Sequence, residues 1–199
     1  VTGVQTCALP ILKTPSDTKL NLELTGQQGD VMKESMKCAK TIAWNLLSKK
    51  IKKSINEDWQ ICGPYGLHIH CPEASTPKDG PSAGAAITLA ILSRLCNVPI
   101  KNTIAMTGEI DLNGKIHSIG GLESKLDGAK KAGVTEVLIP HENLDDFNVI
   151  KNNLSQEEKE EYFTNFKVTI VRNINEVIEL SLTDNDIDRS EEHTSELQS

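Results

Sequence analysis

Aromatic side chains are scarce: two Trp, two Tyr and three Phe, 4% of 199 residues. A core made from this chain has to be aliphatic. No stretch of 18 consecutive apolar residues occurs, which excludes a helix that spans a bilayer. Bases are in deficit, with 21 Lys and Arg against 28 Asp and Glu and a net charge of -7. That balance argues against nucleic acid as a partner, because neutralising phosphates needs a surplus of Lys and Arg. The five cysteines, Cys7, Cys38, Cys62, Cys71 and Cys96, contain no CxxC pair, so a zinc knuckle is not expected. A chain of this length needs no disulfide framework, and they read as reduced thiols. The Walker and GxGxxG patterns are missing too. The nearest glycine-rich run, PKDGPSAG at 77–84, has its lysine before an aspartate, and Pro81 removes a backbone N–H. Neither a metal nor a cofactor is expected on this chain.

The two ends stand apart. Residues 1–11, VTGVQTCALPI, match the conceptual translation of a common sequencing adapter, and residues 189–199, RSEEHTSELQS, match the complementary adapter. The tail has no apolar periodicity. Both ends are set aside from fold reasoning, which leaves 12–188 as one domain.

Within that span, LNLEL at 20–24 alternates as a half-buried strand. Asp30 or Gly29 caps a helix that runs from Val31 to about Lys50, with Val31, Met32, Ser35, Met36, Ala39, Ile42, Ala43 and Leu46 near one face. The lysines at 49, 50, 52 and 53 then read as its end and a solvated turn. LHIHC at 67–71 is a second strand, with His68 and His70 on one face. Pro81 and Ser82 open a helix over 82–96 that is apolar nearly all round and small at its start, so its beginning should pack close against another backbone. A strand over 104–106 leads to a hairpin about Asn113-Gly114. After Gly120-Gly121 comes a helix over 122–132, ended by Gly133. Strands follow at 134–139 and 166–171. Between them lie a loop with a short helix at 144–154 and a charged stretch at 155–165. A last short helix covers 175–182. The order βα, βα, ββα, βα, βα indicates one mixed α/β domain with both parallel and antiparallel strands.

Two residues carry the chemical interest. Ser82 stands at a helix start, where a hydroxyl can cap the first turn. Equally, unpaired N–H groups there can hold a developing oxyanion while the serine attacks a carbonyl. GPSAG satisfies the bare G-x-S-x-G string, yet a Pro-rich polar loop precedes it where a nucleophile elbow requires a strand. A serine nucleophile needs a base. His68 and His70 are candidates; so is Lys125, in the helix after the paired glycines, provided burial leaves its amine neutral. Read alone, Lys125 is a solvated helix lysine sooner than a base.

Three stretches taken together resemble the proteolytic domain of the Lon family, ATP-dependent proteases of S16 type that use a serine–lysine dyad. They are TGQQGDVMKES at 25–35, HIHCPEASTPKDGPSAGAAI at 68–87 and AMTGEIDLNGKIHSIGGLESKLDGAKKAGVTEVLIPHEN at 105–143. The core of the match covers 25–182. The resemblance implies Ser82 as nucleophile and Lys125 as its base. It implies supporting roles for Thr107, a hydrogen-bonding neighbour of the lysine, for Asp79, which in some members occupies or regulates the site, and for Glu109 in the same loop as Thr107. His68 and His70 would then be architectural. The sequence departs from familiar forms at Ala74, Glu123, Asp127 and Gly128, none of them a reacting group. Family members carry an AAA+ ATPase module, so the resemblance implies ATP and Mg2+ for that module of a parent protein and none for this chain. It further implies a homo-oligomeric ring, commonly a hexamer, that takes unfolded polypeptides, and a location in bacterial cytoplasm or the mitochondrial matrix, with a peroxisomal branch. No membrane is implied. A standalone ATP-independent Lon-like peptidase and a non-catalytic assembly or peptide-binding module are the alternatives.

Overall fold

A computed structural model describes residues 10–71 and 79–183. The order of elements is β1 (Ile11–Pro15), β2 (Leu22–Thr25), α1 (Asp30–Leu46), α2 (Lys49–Cys62), β3 (Tyr65–His70), α3 (Gly84–Cys96), β4 (Ile104–Met106), β5 (Glu109–Ile110), β6 (Ile116–His117), α4 (Leu122–Lys131), β7 (Glu136–Pro140), a 3-10 turn (His141–Asn143), α5 (Leu144–Asn153), α6 (Gln156–Phe163), β8 (Lys167–Val171) and α7 (Ile174–Ser181). Among the described residues three sheets form: β1-β3-β2, β4-β7-β8 and the β5-β6 hairpin. β4, β7 and β8 are all parallel, whereas β1 runs antiparallel to β3 and β2 parallel to it. The mixed α/β architecture expected from the element order is what the chain adopts.

The parallel sheet is buried on both faces, and alternate residues sort to opposite sides, as the two-residue period of a strand requires. Ile104, Met106 and Leu138 join a large aliphatic core with α1, α3, α7 and the β1-β3-β2 sheet. Ala105, Val137 and Ile139 join a second core with Leu122, Leu126 and Ala129 of α4 and with Phe166. So α3 packs on one face of the sheet and α4 on the other. Met32 and Met36 are buried in the first core, in keeping with a packing role. Among the described residues no helix is long and apolar enough to cross a membrane.

The elements depart from the sequence reading in four places. The first helix stops at Leu46, because Leu47 turns to an extended backbone (ψ 137°). Ser48 then accepts a hydrogen bond from the Ile51 N–H (3.2 Å) and starts α2, so the lysine cluster begins a helix and does not end one. α2 is anchored through Ile55 and Trp59, one turn apart, with Trp59 stacked on Trp44. The charged stretch 155–165 contains α6, started by a capping box in which Ser155 and Glu158 bond each other's backbone N–H. β1 was not expected; its first residue, Ile11, pairs with Ile69. Finally, α3 begins at Gly84 with Ala83 as its cap residue, so the Ser82 hydroxyl does not cap this helix.

Candidate active site

Ser82 and Lys125, 43 residues apart, meet beyond the C-terminal end of β4. They arrive from opposite faces of the parallel sheet, Ser82 ahead of α3 and Lys125 in the first turn of α4. The Lys125 Nζ lies 3.4 Å from the Ser82 Oγ and donates to it. Both residues are half-buried. Burial lowers the Lys125 pKa below the ordinary lysine value of 10.5, and desolvation is the one cause acting on it. A charged ammonium is costly where water is thinned out and no carboxylate among the described residues acts on it, so the neutral amine gains ground.

Ser82 is held by its own carbonyl. That oxygen accepts from the Gly108 N–H (2.8 Å) and from the Thr107 hydroxyl (3.2 Å), both just past the end of β4. Thr107 is 3% exposed and in turn donates its N–H to Leu138 of β7 (3.2 Å). The segment after α3's entry is fixed the same way, through a bond from the Ala85 N–H to the Gly108 carbonyl (3.1 Å). Small residues make this approach possible. A Cβ on Gly84 would stand 2.8 Å from the Ser35 Oγ and 3.0 Å from the Ile110 Cγ2, so α3 could not seat against α1 and β5 with a larger residue there. The close packing expected at this helix start is present. The Thr107 hydroxyl thus bonds the backbone of Ser82.

The other candidate residues lie around this centre. Asp79 is turned to α1: its carboxylate accepts from the Met32 N–H (2.9 Å) and from the Gly80 N–H (2.8 Å), and packs on the Cα of Gly29. α1 has no side-chain cap of its own, since Gly29 occupies that position. Asp79 supplies the missing acceptor from the serine loop and brings a negative charge to the helix's positive end. Replacing Asp79 with Ala should lower stability by about 1 kcal/mol, read as a fall in the urea midpoint, with most of the loss recovered by Asn. Glu109 is exposed on β5, paired across the hairpin with His117. His68 Nε2 and His70 Nδ1 both lie 2.8 Å from the Thr25 hydroxyl, which ties β2 to β3.

Sequence reasoning passed over Asn143. It is 1% exposed, and its side chain accepts from the Ile119 N–H (2.9 Å) while donating to the Ile119 carbonyl (2.9 Å) and to Asp146 (2.8 Å). The only signal was a polar residue just after a buried strand. Two clefts, of about 570 and 320 Å³, lie away from Ser82 and Lys125; the larger is lined by Phe147, Phe163, Phe166 and Val168 with Lys151 and Lys167 at its rim. Among the described residues no group of three or more His, Cys, Asp and Glu is arranged to hold a metal ion.

Comparison with known proteins gives this geometry a family. The chain is 42% identical over 174 residues to a Lon protease homolog of Acanthamoeba polyphaga mimivirus, covering 86% of this chain and 16% of that protein. It is 41% identical over 175 residues to a Lon protease of Buchnera aphidicola, covering 87% and 21%. It is 43% identical over 136 residues to a mitochondrial Lon protease homolog of Candida glabrata, covering 68% and 13%. The chain thus spans about a fifth or less of the length of these relatives. The family model for the Lon protease (S16) C-terminal proteolytic domain matches residues 1–184. The chain belongs to the Lon protease S16 family and corresponds to its C-terminal proteolytic domain.

Proposed function

We propose that the chain is the proteolytic part of an ATP-dependent serine endopeptidase in which Ser82 is the nucleophile and Lys125 its general base. The observation that carries this reading is the 3.4 Å approach of the Lys125 amine to the Ser82 hydroxyl, with burial favouring the uncharged amine. Neutral Lys125 takes the Ser82 proton as Oγ attacks the scissile carbonyl. Among the described residues the Gly84 and Ala85 N–H groups are engaged by the Pro81 and Gly108 carbonyls, and the N–H groups of Ser82 and Ala83 are the ones assigned to the oxyanion. The ammonium of Lys125 then gives its proton to the leaving amine. Water, deprotonated by the same lysine, releases the acyl group. Thr107 and Gly108 keep the serine backbone still through both steps. Substrate would lie extended against an exposed strand edge by main-chain bonds, which suits unfolded polypeptides of varied sequence.

ATP and Mg2+ have no place on this chain, whose PKDGPSAG run cannot cradle phosphate, and they would belong to an ATPase module of the parent protein. A ring of identical subunits, commonly a hexamer, and a location in bacterial cytoplasm, the mitochondrial matrix or the peroxisome complete the reading. Relatives named as bacterial and mitochondrial Lon proteases support either of the first two.

The test is the pH dependence of casein or fluorogenic-peptide cleavage. The active form needs the amine unprotonated, so kcat/KM should rise with pH and level off at a midpoint below 10.5, the ordinary lysine value. A kcat/KM that stays flat from acid pH up to 10.5, with no rising limb anywhere, would rule Lys125 out as the base.

A further inference from the structure

Lys125 is the fourth residue of a helix whose start has little to hold it. α4 has no side-chain cap; Gly121, at its cap position, is left-handed (φ 68°). Gly120 and Gly121 have no atom within 4 Å of where a Cβ would stand. Leu122 and Leu126 bury the helix in the second core, but an aliphatic contact tolerates sliding in a way that a hydrogen bond does not. Directed bonds are found just before the glycines. The Asn143 side chain grips both backbone groups of Ile119, and the Glu142 carboxylate accepts from the Ser118 N–H (3.0 Å). Asn143 also occupies the cap position of α5, where an asparagine side chain would ordinarily accept a backbone N–H, and it makes no such cap bond. Its amide is committed to Ile119 and Asp146.

We propose that Asn143, seconded by Glu142, is a positioning residue for the proposed base: by pinning Ser118 and Ile119 it sets where α4 begins, and so how deep the Lys125 amine sits beside Ser82. The inference rests on the dyad reading above. Glu142 is suited to the task. The Lys115 ammonium (2.8 Å) and then the Ser118 N–H hold its carboxyl at about 2, so it stays an acceptor at every pH at which a lysine titrates. The His117 ring lies between Asp111 (3.0 Å) and Glu142 (3.4 Å) on the hairpin side. From α6, Tyr162 donates to Asp127 (2.7 Å), and Lys130 of α4 donates to the Tyr162 carbonyl (2.7 Å). These bonds hold α4 further along, past Lys125.

The readout is the titration of the Lys125 amine, followed by NMR of isotope-labelled lysine side chains in the full chain, with Lys125→Arg to assign the signal. In the parent the midpoint lies below the ordinary lysine value; a parent midpoint at that value would sink the dyad reading itself, which is a separate failure. In Asn143→Ala the freed helix start lets water reach the amine, and the midpoint should move up by about one pH unit. Glu142→Ala should move it up less, and Glu142→Gln, which keeps an acceptor for Ser118, should leave it in place. Loss of a negative charge alone would push the amine the other way, so an upward shift reports position and not charge. Tyr162→Phe should lower the melting temperature and leave the midpoint unmoved. If Asn143→Ala does not fold, the two Glu142 variants decide. Midpoints that stay at the parent value in Asn143→Ala and Glu142→Ala would overturn the proposal, as would Tyr162→Phe shifting the midpoint as far as Glu142→Ala.

Discussion

Ser82→Ala should abolish peptide cleavage, by a factor of about 10⁴ or more, while the melting temperature stays close to that of the parent. The reasoning has two parts. First, the hydroxyl is the bond-forming atom of the proposed mechanism, and no other hydroxyl among the described residues is bonded to the Lys125 amine. Second, the same hydroxyl contributes little to folding. It does not cap α3, and the loop is held by the Ser82 carbonyl, which alanine retains along with its bonds to Gly108 and Thr107. Lys125→Met keeps an unbranched side chain of similar reach and should lose activity to a similar extent. Residues that act as one unit are strongly non-additive, so the double variant should be no slower than either single one. The measurement is kcat/KM on a fluorogenic peptide beside thermal melts of all four proteins. Casein degraded by Ser82→Ala at the parental rate would end the assignment. A fall in activity matched by a collapse of the melt would move Ser82 from chemistry to structure.

Gly26→Ala should lower stability by about 3 kcal/mol. Gly26 has φ 96°, a conformation that costs an L-residue on the order of 1–3 kcal/mol. A Cβ there would also run into the carbonyl oxygen of Cys71, whose N–H bonds the Thr25 carbonyl (2.9 Å). Both obstacles are backbone, so neither can swing aside as a long side chain would. Relief has to come from parting β2 and β3, and that would take Thr25 away from His68 and His70. Gly63 supplies the comparison. It too has a positive φ, of 83°, but nothing lies within 4 Å of its missing Cβ, so Gly63→Ala should cost about 1 kcal/mol from strain alone. Urea midpoints of the two variants separate clash from strain. Equal losses would mean that the contact with Cys71 yields easily.

Elements with a strong local signal were legible. Val31, Met32, Ser35, Met36, Ala39, Ile42, Ala43 and Leu46 mark one side of α1 at helical spacing, and all are buried except Val31, which is exposed in the first turn. α3, apolar nearly all round, announced its burial, with nine of its 13 residues buried, and the Asn113-Gly114 hairpin stands where the turn signal put it. α2 and α6 were missed because their sequences are dominated by solvated charge. α2 carries only a narrow stripe, Ile51, Ile55 and Trp59 at four-residue spacing, among four lysines, and α6 buries no residue. Their start signals, Ser48 and the Ser155–Glu158 box, were in the text but were outweighed by the charge that follows them. β1 was hidden differently. A five-residue edge strand with one buried position looks like any loop until β3 is present to pair with it.

Local chemistry, then, can be read from the order of residues, since period, cap and turn depend on neighbours a few positions apart. It was enough to single out Ser82 and Lys125 as groups worth pairing, though not to choose between capping helix residue, solvated amine and reacting pair; a likeness to the Lon family made that choice. The distance between them is a different kind of fact. It arises because α3 and α4 cover opposite faces of one parallel sheet and both begin past the end of β4, and because Thr107, Gly108 and Asn143 fix those beginnings through backbone bonds. No rule of sequence spacing encodes such a meeting, since it depends on which strands lie side by side and on how far each helix slides before its side chains lock.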